Sequence, residues 1–268
     1  MSENEYSKEE LLAMSPAEFR EIVRRAQWTE NTVVGVSRGF AEANLAIVPK
    51  DLAFDFLLFS TRNPRPCPVI DVTEPGNPHP SETIAKGADL RTDLPRYRVF
   101  EHGKLIDEPT DIMEYWRDDL VAFLIGCSLS FDWLLEAANI QQRQVGVFTT
   151  NIQCRPAGPF HGPVLVSGRL LRGAQEAVRA AQISSRCPAV HGAPVHIGDP
   201  SVIGIKDITE PDMWKFGVIP EPDEIPVFWA CGVTPQAAAM EAKPPLMITH
   251  CPAHMFVTDR RSEEYAIL

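Results

Sequence analysis

The sequence predicts an α/β protein of the mixed α+β type, with mixed sheets, flanking helices and two intimately packed lobes. Apolar runs of strand length alternate with helical runs along the whole chain, and such interleaving favours a mixed architecture over an all-β fold or a helix bundle. The chain has 268 residues, of which 44% are hydrophobic and 23% charged, so it can bury a substantial core. We expect one unit over residues 1–268, with two interleaved lobes of undefined boundary as the alternative.

Helices are predicted where N-terminal signals precede amphipathic runs. Two capping boxes, Ser7 to Glu10 and Ser15 to Glu18, each place a glutamate three residues after a serine. They should start two helices, the second ending near residue 27. Residues 41–47 are predicted to be helical or to form a tight turn. Further helices are predicted over residues 51–60, 109–116, 131–138, 174–184 and 236–241.

Strands are predicted where short runs rich in Val, Ile, Leu and Phe end at Gly, Pro or polar residues. These runs cover residues 68–72, 97–101, 121–125, 145–149, 164–171, 202–205, 226–230 and 246–249.

Two of the predicted strands end in turns of the same kind. The strand over 121–125 runs into Gly-Cys-Ser at residues 126–128, and the strand over 226–230 runs into Cys-Gly at residues 231–232. Thr234, followed by a proline, suits an N-cap and first helical position. Backbone N–H groups left free at a helix start can hold a carboxylate. We therefore predict that the two turns face each other and bind a small carboxylate through Ser128, Ser130, Gly232, Thr234 and Gln236. The alternative is that a serine caps a helix and the cysteines fill the core.

The cysteines of these turns are the first candidates for catalysis. If the helix start lowers the pKa of Cys231, its thiolate can act as a nucleophile that forms a thioester. Cys127 in the facing turn would complete an acid/base pair. The alternative is that both are small buried residues. The six cysteines contain no CxxC pair, which argues against a disulfide framework or a zinc knuckle.

Histidines are candidates for proton transfer and binding. We predict that His254 is a general acid/base oriented by Asp259; a loop histidine with satisfied hydrogen bonds is the alternative. His191 and His196 lie in a stretch rich in Gly and Pro and are candidates for substrate binding. The spacing of the histidines matches no standard zinc pattern, so we predict no metal site.

Arg91 and Arg96 lie in a stretch of alternating charges around a proline. Either guanidinium is suited to fork a substrate carboxylate. The alternative is a structural cluster of ion pairs that holds a long loop. Asn151, which follows a predicted strand, is a further candidate for substrate binding.

Charge and composition argue against several classes of function. The net charge of −11 and the pI near 5.1 disfavour binding to a phosphate backbone. No apolar run is long enough to span a membrane, and the N-terminus is acidic and polar, unlike a signal peptide. No GxGxxG or Walker A sequence occurs. We expect a cytoplasmic protein that binds a small-molecule carboxylate without nucleic acid, membrane or organic cofactor, with homo-oligomer formation left open.

Several segments together resemble one family. They include NLAIVP at residues 44–49, DLRTDLPRYRVF at 89–100, FLIGCSLSF at 123–131, VFWACGVTPQ at 227–236 and THCPAHMFVTD at 249–259. In collinear order over nearly the whole chain, they are similar to the YcsI-type hydro-lyase family, to which the D-glutamate cyclase domain also belongs. Cys251 stands where the family pattern has a small residue such as alanine, which weakens a catalytic role for that thiol.

The resemblance implies a carbon–oxygen lyase that converts D-glutamate to 5-oxo-D-proline and water, in 5-oxoproline metabolism. Two alternatives stay open at this point. One is a cysteine-dependent racemase or a dehydratase of a small acid, and the other is a non-catalytic subunit that binds 5-oxoproline.

Overall fold

The computed structural model of the chain describes residues 6–28 and 32–267. Residues 1–5 of the acidic N-terminal segment lie outside the described residues. The helices are α1 (Lys8–Ala13), α2 (Pro16–Arg24), α3 (Lys50–Arg62), α4 (Asp132–Ala137), α5 (Gly173–Ser184) and α6 (Thr234–Ala242). Both predicted capping boxes are confirmed: the serine side chain accepts from the N3 backbone, and the N3 glutamate side chain accepts from the serine backbone.

The strands form two sheets. They are β1 (Phe40–Pro49), β2 (Val69–Val72), β3 (Tyr97–Glu101), β4 (Lys104–Asp107), β5 (Leu120–Gly126), β6 (Gln142–Gln153), β7 (Pro163–Arg172), β8 (His196–Ile197), β9 (Glu224–Ala230), β10 (Met247–His250) and β11 (Phe256–Arg261). The first sheet has the order β2-β5-β1-β10-β3-β4, with β11 also paired to β1, and the second has the order β6-β7-β9-β8. The predicted α+β class is confirmed.

Every strand pair among the described residues is antiparallel. The two sheets share a core in which Val48 and Phe123 of the first sheet join Phe148, Val166 and Phe228 of the second, all buried. No helix in the described parts of the chain is long and apolar enough to cross a membrane.

β1 corrects the prediction that residues 41–47 are helical or a tight turn. It is the centre of the first sheet, with β5 along one edge and both β10 and β11 along the other. Its side chains alternate, so Glu42 and Asn44 share one face while Ala43 and Leu45 share the other. The local preference of Ala and Leu for helix is overridden by pairing on both edges.

Two further predicted elements are wrong. Residues 109–116 form turns instead of a helix, and the Asp111 carboxylate accepts from the backbone N–H of Met113 at 3.1 Å, a local bond that competes with helix formation. Residues 202–205 were expected as a strand, but Pro200–Ile203 is a 3-10 turn capped by Asp199, whose carboxylate accepts from the N–H of Ser201 at 2.9 Å.

Candidate functional site

The two cysteine turns meet at one cavity of about 1070 Å³. Its wall takes residues from the segment before β1, from the middle of β1, from β6 and β7, from the loop over residues 214–219, and from the turns after β5, β9 and β10. Cys127, Ser128 and Cys231 all line it. The two turns therefore contribute to the wall of one cavity, whose volume is at the upper end of small-molecule sites.

Cys127 directly follows β5 and precedes a 3-10 turn, Ser128–Phe131. Burial raises the pKa of the Cys127 thiol well above its usual range, and the neighbouring carboxyl of Glu42 raises it further. The backbone N–H of Leu129 acts on the sulfur in the opposite direction. Cys127 is therefore held as a neutral thiol at neutral pH.

Cys231 directly follows β9 in the matching position. Burial raises the pKa of its thiol as well, but the backbone N–H groups of Gly232 and Val233 and the positive charge of Arg169 oppose the rise. Of the two thiols, Cys231 therefore has the surroundings that better support a thiolate. The two turns have opposite electrostatics, since one thiol lies near a carboxyl and the other near a guanidinium.

Arg169 is a buried cation beneath the cavity wall. It lies on β7 between the rings of Phe131 and Trp229, with its guanidinium carbon 5.1 and 5.0 Å from their centroids. It forms an ion pair with Asp132 and donates to the Ser128 hydroxyl at 3.0 Å. Ser128 is thereby fixed at the cavity wall by a charge-assisted hydrogen bond.

Glu42 and Asn44 of β1 belong to the site although the sequence analysis did not single them out. Asn44 lines the cavity and donates to the backbone oxygen of Gly126 at 3.0 Å, which fixes the end of β5. Glu42 is 6% exposed. The available signal was the alternation of polar residues at positions 42 and 44 in an otherwise apolar run. An arginine inside the apolar run over 164–171 was the comparable signal for Arg169.

The charged residues that line the cavity are Arg143 and Lys215, and none of the described lining residues is an aspartate or glutamate. Arg143 is paired with Glu221 at 2.9 Å, and Lys215 is paired with Glu210. The rest of the wall is mostly apolar. Each cation is thus already engaged by a glutamate outside the described lining, so an anionic ligand competes with that glutamate for it.

The predicted cradle after Cys231 is corrected in part. Val233, not Thr234, is the N-cap of α6. The Thr234 hydroxyl accepts from the N–H of Leu165 at 3.0 Å, and the Gln236 amide lies 2.9 Å from His250 Nδ1. Gly232 is packed so closely against the Asn44 side chain that a Cβ would overlap it. These residues hold α6 against the sheets. The Ser130 hydroxyl accepts from the N–H of Glu42 at 2.9 Å, which holds β1 against the turn after Cys127.

The hydrogen bonds and ion pairs of His254 and Asp259 that the structure shows join them to other groups. His254 Nδ1 lies 2.7 Å from the backbone oxygen of Pro252, and the described cavity lining includes the two neighbours of His254 but not His254 itself. Asp259 is held by Arg20 of α2 at 2.9 Å and by the N–H of Lys86. Asp259 therefore links α2 to β11.

Arg91 and Arg96 lie on a loop away from the cavity lining. Arg91 is paired with Asp89 at 2.6 Å, and nearby Asp93 is fully buried and paired with Arg24. The alternative of an ion-pair cluster describes this loop. Arg96 is exposed, and Asn151 is exposed beside the 3-10 turn that contains Val202.

His191 and His196 also lie outside the cavity lining. Burial lowers the pKa of His191 to about 4, and its Nδ1 lies 2.7 Å from the backbone oxygen of Arg65. His196 Nε2 lies 2.7 Å from the backbone oxygen of Asp199. Within the described residues, no group of three His, Cys, Asp or Glu side chains is arranged to hold a metal ion.

A cavity of this size, with two thiols at its wall, is typical of an enzyme that acts on small molecules. Comparison with known proteins gives the family. The model of the D-glutamate cyclase family matches residues 121–259. A protein named "Putative hydro-lyase" from Rubrobacter xylanophilus is 53% identical over 95% of this chain and 99% of its own length.

Other relatives agree. "Putative hydro-lyase GK2103" from Geobacillus kaustophilus is 52% identical over 95% of this chain and 98% of its own, and a namesake from Stutzerimonas stutzeri is 50% identical over 95% and 97%. This chain belongs to the D-glutamate cyclase family of hydro-lyases. The family and the enzyme class predicted from the sequence are confirmed. Among solved structures, a nitrogen repressor-like protein from Methanococcus jannaschii aligns over 92% of this chain and 99% of its own chain, with a TM-score of 0.38 and 9% identity.

Proposed function

We propose that this hydro-lyase cyclises D-glutamate to 5-oxo-D-proline and water in the cavity between the Cys127 and Cys231 turns. The observation that supports this most is that both thiols line one cavity whose charged lining residues are cations. Such a wall suits a small substrate with two carboxylates. The proposal includes a place in 5-oxoproline metabolism, a cytoplasmic location and no organic cofactor.

The electrostatics of the two turns assign different roles to the thiols. Cys231, near Arg169 and two backbone N–H groups, attacks the γ-carboxyl carbon as the nucleophile. Cys127, near Glu42, protonates the departing hydroxide as the general acid. The γ-carboxyl reacts as the neutral acid, because the substrate ammonium has passed one proton to it and become the neutral amine. Attack by the Cys231 thiolate then expels the hydroxyl, which leaves as water with the Cys127 proton, and forms a thioester. The neutral amine then attacks the thioester carbon, the C–S bond breaks to return the Cys231 thiolate, and the proton released by the nitrogen restores the Cys127 thiol.

Binding groups come from the rest of the wall. Asn44 and Ser128 are fixed polar groups, and Arg143 and Lys215 are cations at the wall that a substrate carboxylate reaches by exchanging with their glutamate partners. The apolar remainder of the wall limits water around the thioester, which protects it from hydrolysis before the ring closes.

A direct test is to incubate the purified protein with D-glutamate and with L-glutamate in deuterated water and to follow both by NMR. We expect 5-oxoproline from D-glutamate without deuterium at the α-carbon, because cyclisation does not break the α-C–H bond. Protein that leaves D-glutamate unchanged would contradict the proposal. If it also bound 5-oxoproline tightly, the non-catalytic alternative would take its place.

A second candidate is favoured by one specific feature, the placement of two thiols on the wall of one cavity. Two such groups can remove and return a proton at opposite faces of an α-carbon, which is the chemistry of a cofactor-independent racemase. The same NMR experiment separates the two. Deuterium entering the α-position of glutamate, with no 5-oxoproline formed, would identify the racemase.

A further inference from the structure

Glu42 is a buried carboxyl to which the mechanism above gives no task. It is 6% exposed, and among the described residues its Oε2 has no hydrogen-bond partner. Its backbone is well held, since the N–H donates to the Ser130 hydroxyl at 2.9 Å. A buried carboxyl oxygen without a partner is costly, so its retention next to a reactive site points to a function.

The register of the first sheet places Glu42 beside Cys127. β1 and β5 are antiparallel, and Ala43 pairs with Gly126, the last residue of β5. Glu42 and Cys127 are the next residues on these two neighbouring segments, and Glu42 is also tied to the turn after Cys127 through Ser130. The carboxyl accordingly acts on the thiol, whose pKa is raised first by burial and next by Glu42.

Among the described residues, the other groups around Glu42 do not supply a matching cation. Asp132 of α4 faces it, and burial together with Asp132 raises the pKa of Glu42 to about 8. The nearby guanidinium of Arg169 is engaged by Asp132. On β11, Val257 is the residue opposite Glu42, while Arg261 lies over the ring of Phe40 at 4.3 Å. Glu42 is therefore a neutral acid at neutral pH and carries a proton next to Cys127.

We propose that the buried carboxyl of Glu42 stores the proton that re-forms the Cys127 thiol, which makes Glu42 a positioning residue for the general acid of the site. This inference rests on the proposed function for its place in the reaction, since it assumes that Cys127 gives up a proton during turnover.

The proton balance is closed within the site. Cys127 gives its S–H proton to the departing hydroxide, and the resulting thiolate takes the O–H proton of Glu42. When the amine closes the ring, the proton that it loses passes through Cys127 back to Glu42. At each stage the pair carries at most one negative charge, because two adjacent buried anions would repel each other.

The test is the pH dependence of Cys127 alkylation in the full-length protein. Iodoacetamide reacts with the thiolate, and mass spectrometry of peptides measures labelling of Cys127 separately from the other cysteines. In the wild-type protein, ionised Glu42 holds the alkylation midpoint of Cys127 high. In Glu42→Gln the repulsion is gone, so we expect the midpoint to fall by about one pH unit, or about tenfold faster labelling below it.

Two controls show whether the effect is specific. Glu136→Gln removes an exposed carboxylate that pairs with Arg38, and it should leave the Cys127 midpoint unchanged. Labelling of Cys231 should move less than that of Cys127 in Glu42→Gln. An unchanged Cys127 midpoint in folded Glu42→Gln would overturn the inference even if cyclisation of D-glutamate were confirmed. A lowered midpoint in a protein without cyclase activity would support the pair while the proposed reaction failed.

A second measurement needs no substitution. In wild-type protein whose glutamates carry ¹³C at the side-chain carboxyl, infrared spectra should show a protonated carboxyl that loses its proton as the pH rises through about 8. The absence of any protonated glutamate at pH 7 would also overturn the inference.

Discussion

At the scale of single residues, the cavity depends on a close contact between Gly232 and Asn44. A Cβ on Gly232 would overlap the Asn44 side-chain amide, and that amide holds the end of β5 through Gly126. The two cysteine turns are thus joined through one glycine and one asparagine. An added methyl group at this point disturbs both turns at once.

We therefore expect Gly232→Ala to lower the free energy of unfolding by about 1–3 kcal/mol, the usual range for forcing a methyl group into a filled site. Denaturant unfolding measures the change. In an Asn44→Ala background the same alanine finds room, so its cost should fall by more than half. Equal costs in the two backgrounds would show that the contact does not carry the effect.

At the scale of elements, β10 and β11 both pair with β1 and leave a gap between them. Ala46 pairs with Thr249 of β10 and Ala43 with Phe256 of β11, so Leu45 faces the gap. Its N–H donates to His250 Nδ1 at 3.1 Å, and its carbonyl accepts from Gln236 at 3.3 Å. Side chains complete the hydrogen bonding that a continuous strand would otherwise supply.

Removing the imidazole should leave the Leu45 N–H buried and without its acceptor. We expect His250→Ala to lower the free energy of unfolding by about 2 kcal/mol or more, measured by denaturant titration. His161→Ala, at an exposed position, is the control and should change it by less than about 0.5 kcal/mol. A cost for His250→Ala no larger than that of the control would contradict the role of His250 in this gap.

At the scale of the whole molecule, burial couples stability to pH. Burial lowers the pKa of both His191 and His250 to about 4 from the ordinary 6.5. The folded protein therefore keeps both rings neutral while the unfolded chain protonates them below pH 6.5. Their contribution to stability is fully present above pH 6.5 and is lost as the pH falls through 4.

We expect His191→Asn, which keeps a donor for the Arg65 carbonyl, to flatten this acid dependence. Between pH 6.5 and 4.5 the slope of the unfolding free energy against pH should decrease by about 1.4 kcal/mol per pH unit, the effect of one proton. Denaturant titrations at several pH values measure it. His161→Asn should keep the wild-type slope, and an unchanged slope in His191→Asn would mean that its ring is not held neutral.

The pair of cysteine turns was accessible from sequence because each is local: an apolar run, a cysteine, a small residue and a helix. Glu42 and Arg169 were not accessible from sequence, because their roles depend on contacts with residues far along the chain. Arg169 of β7 binds Ser128 in the 3-10 turn after β5 and Asp132 in α4, and Glu42 of β1 acts on Cys127, which follows β5. For the same reason sequence position did not show that His254, Arg91 and Arg96 lie outside the described cavity lining.

The measurement that tests the site most directly is the formation of 5-oxoproline from D-glutamate by cysteine variants. Cys231→Ser and Cys127→Ser should each lower the rate about a hundredfold or more, the scale of losing a nucleophile or a general acid. Cys251→Ser, outside the cavity lining, should keep the wild-type rate. Full activity in both cavity variants, or loss only in Cys251→Ser, would contradict catalysis by the two thiols.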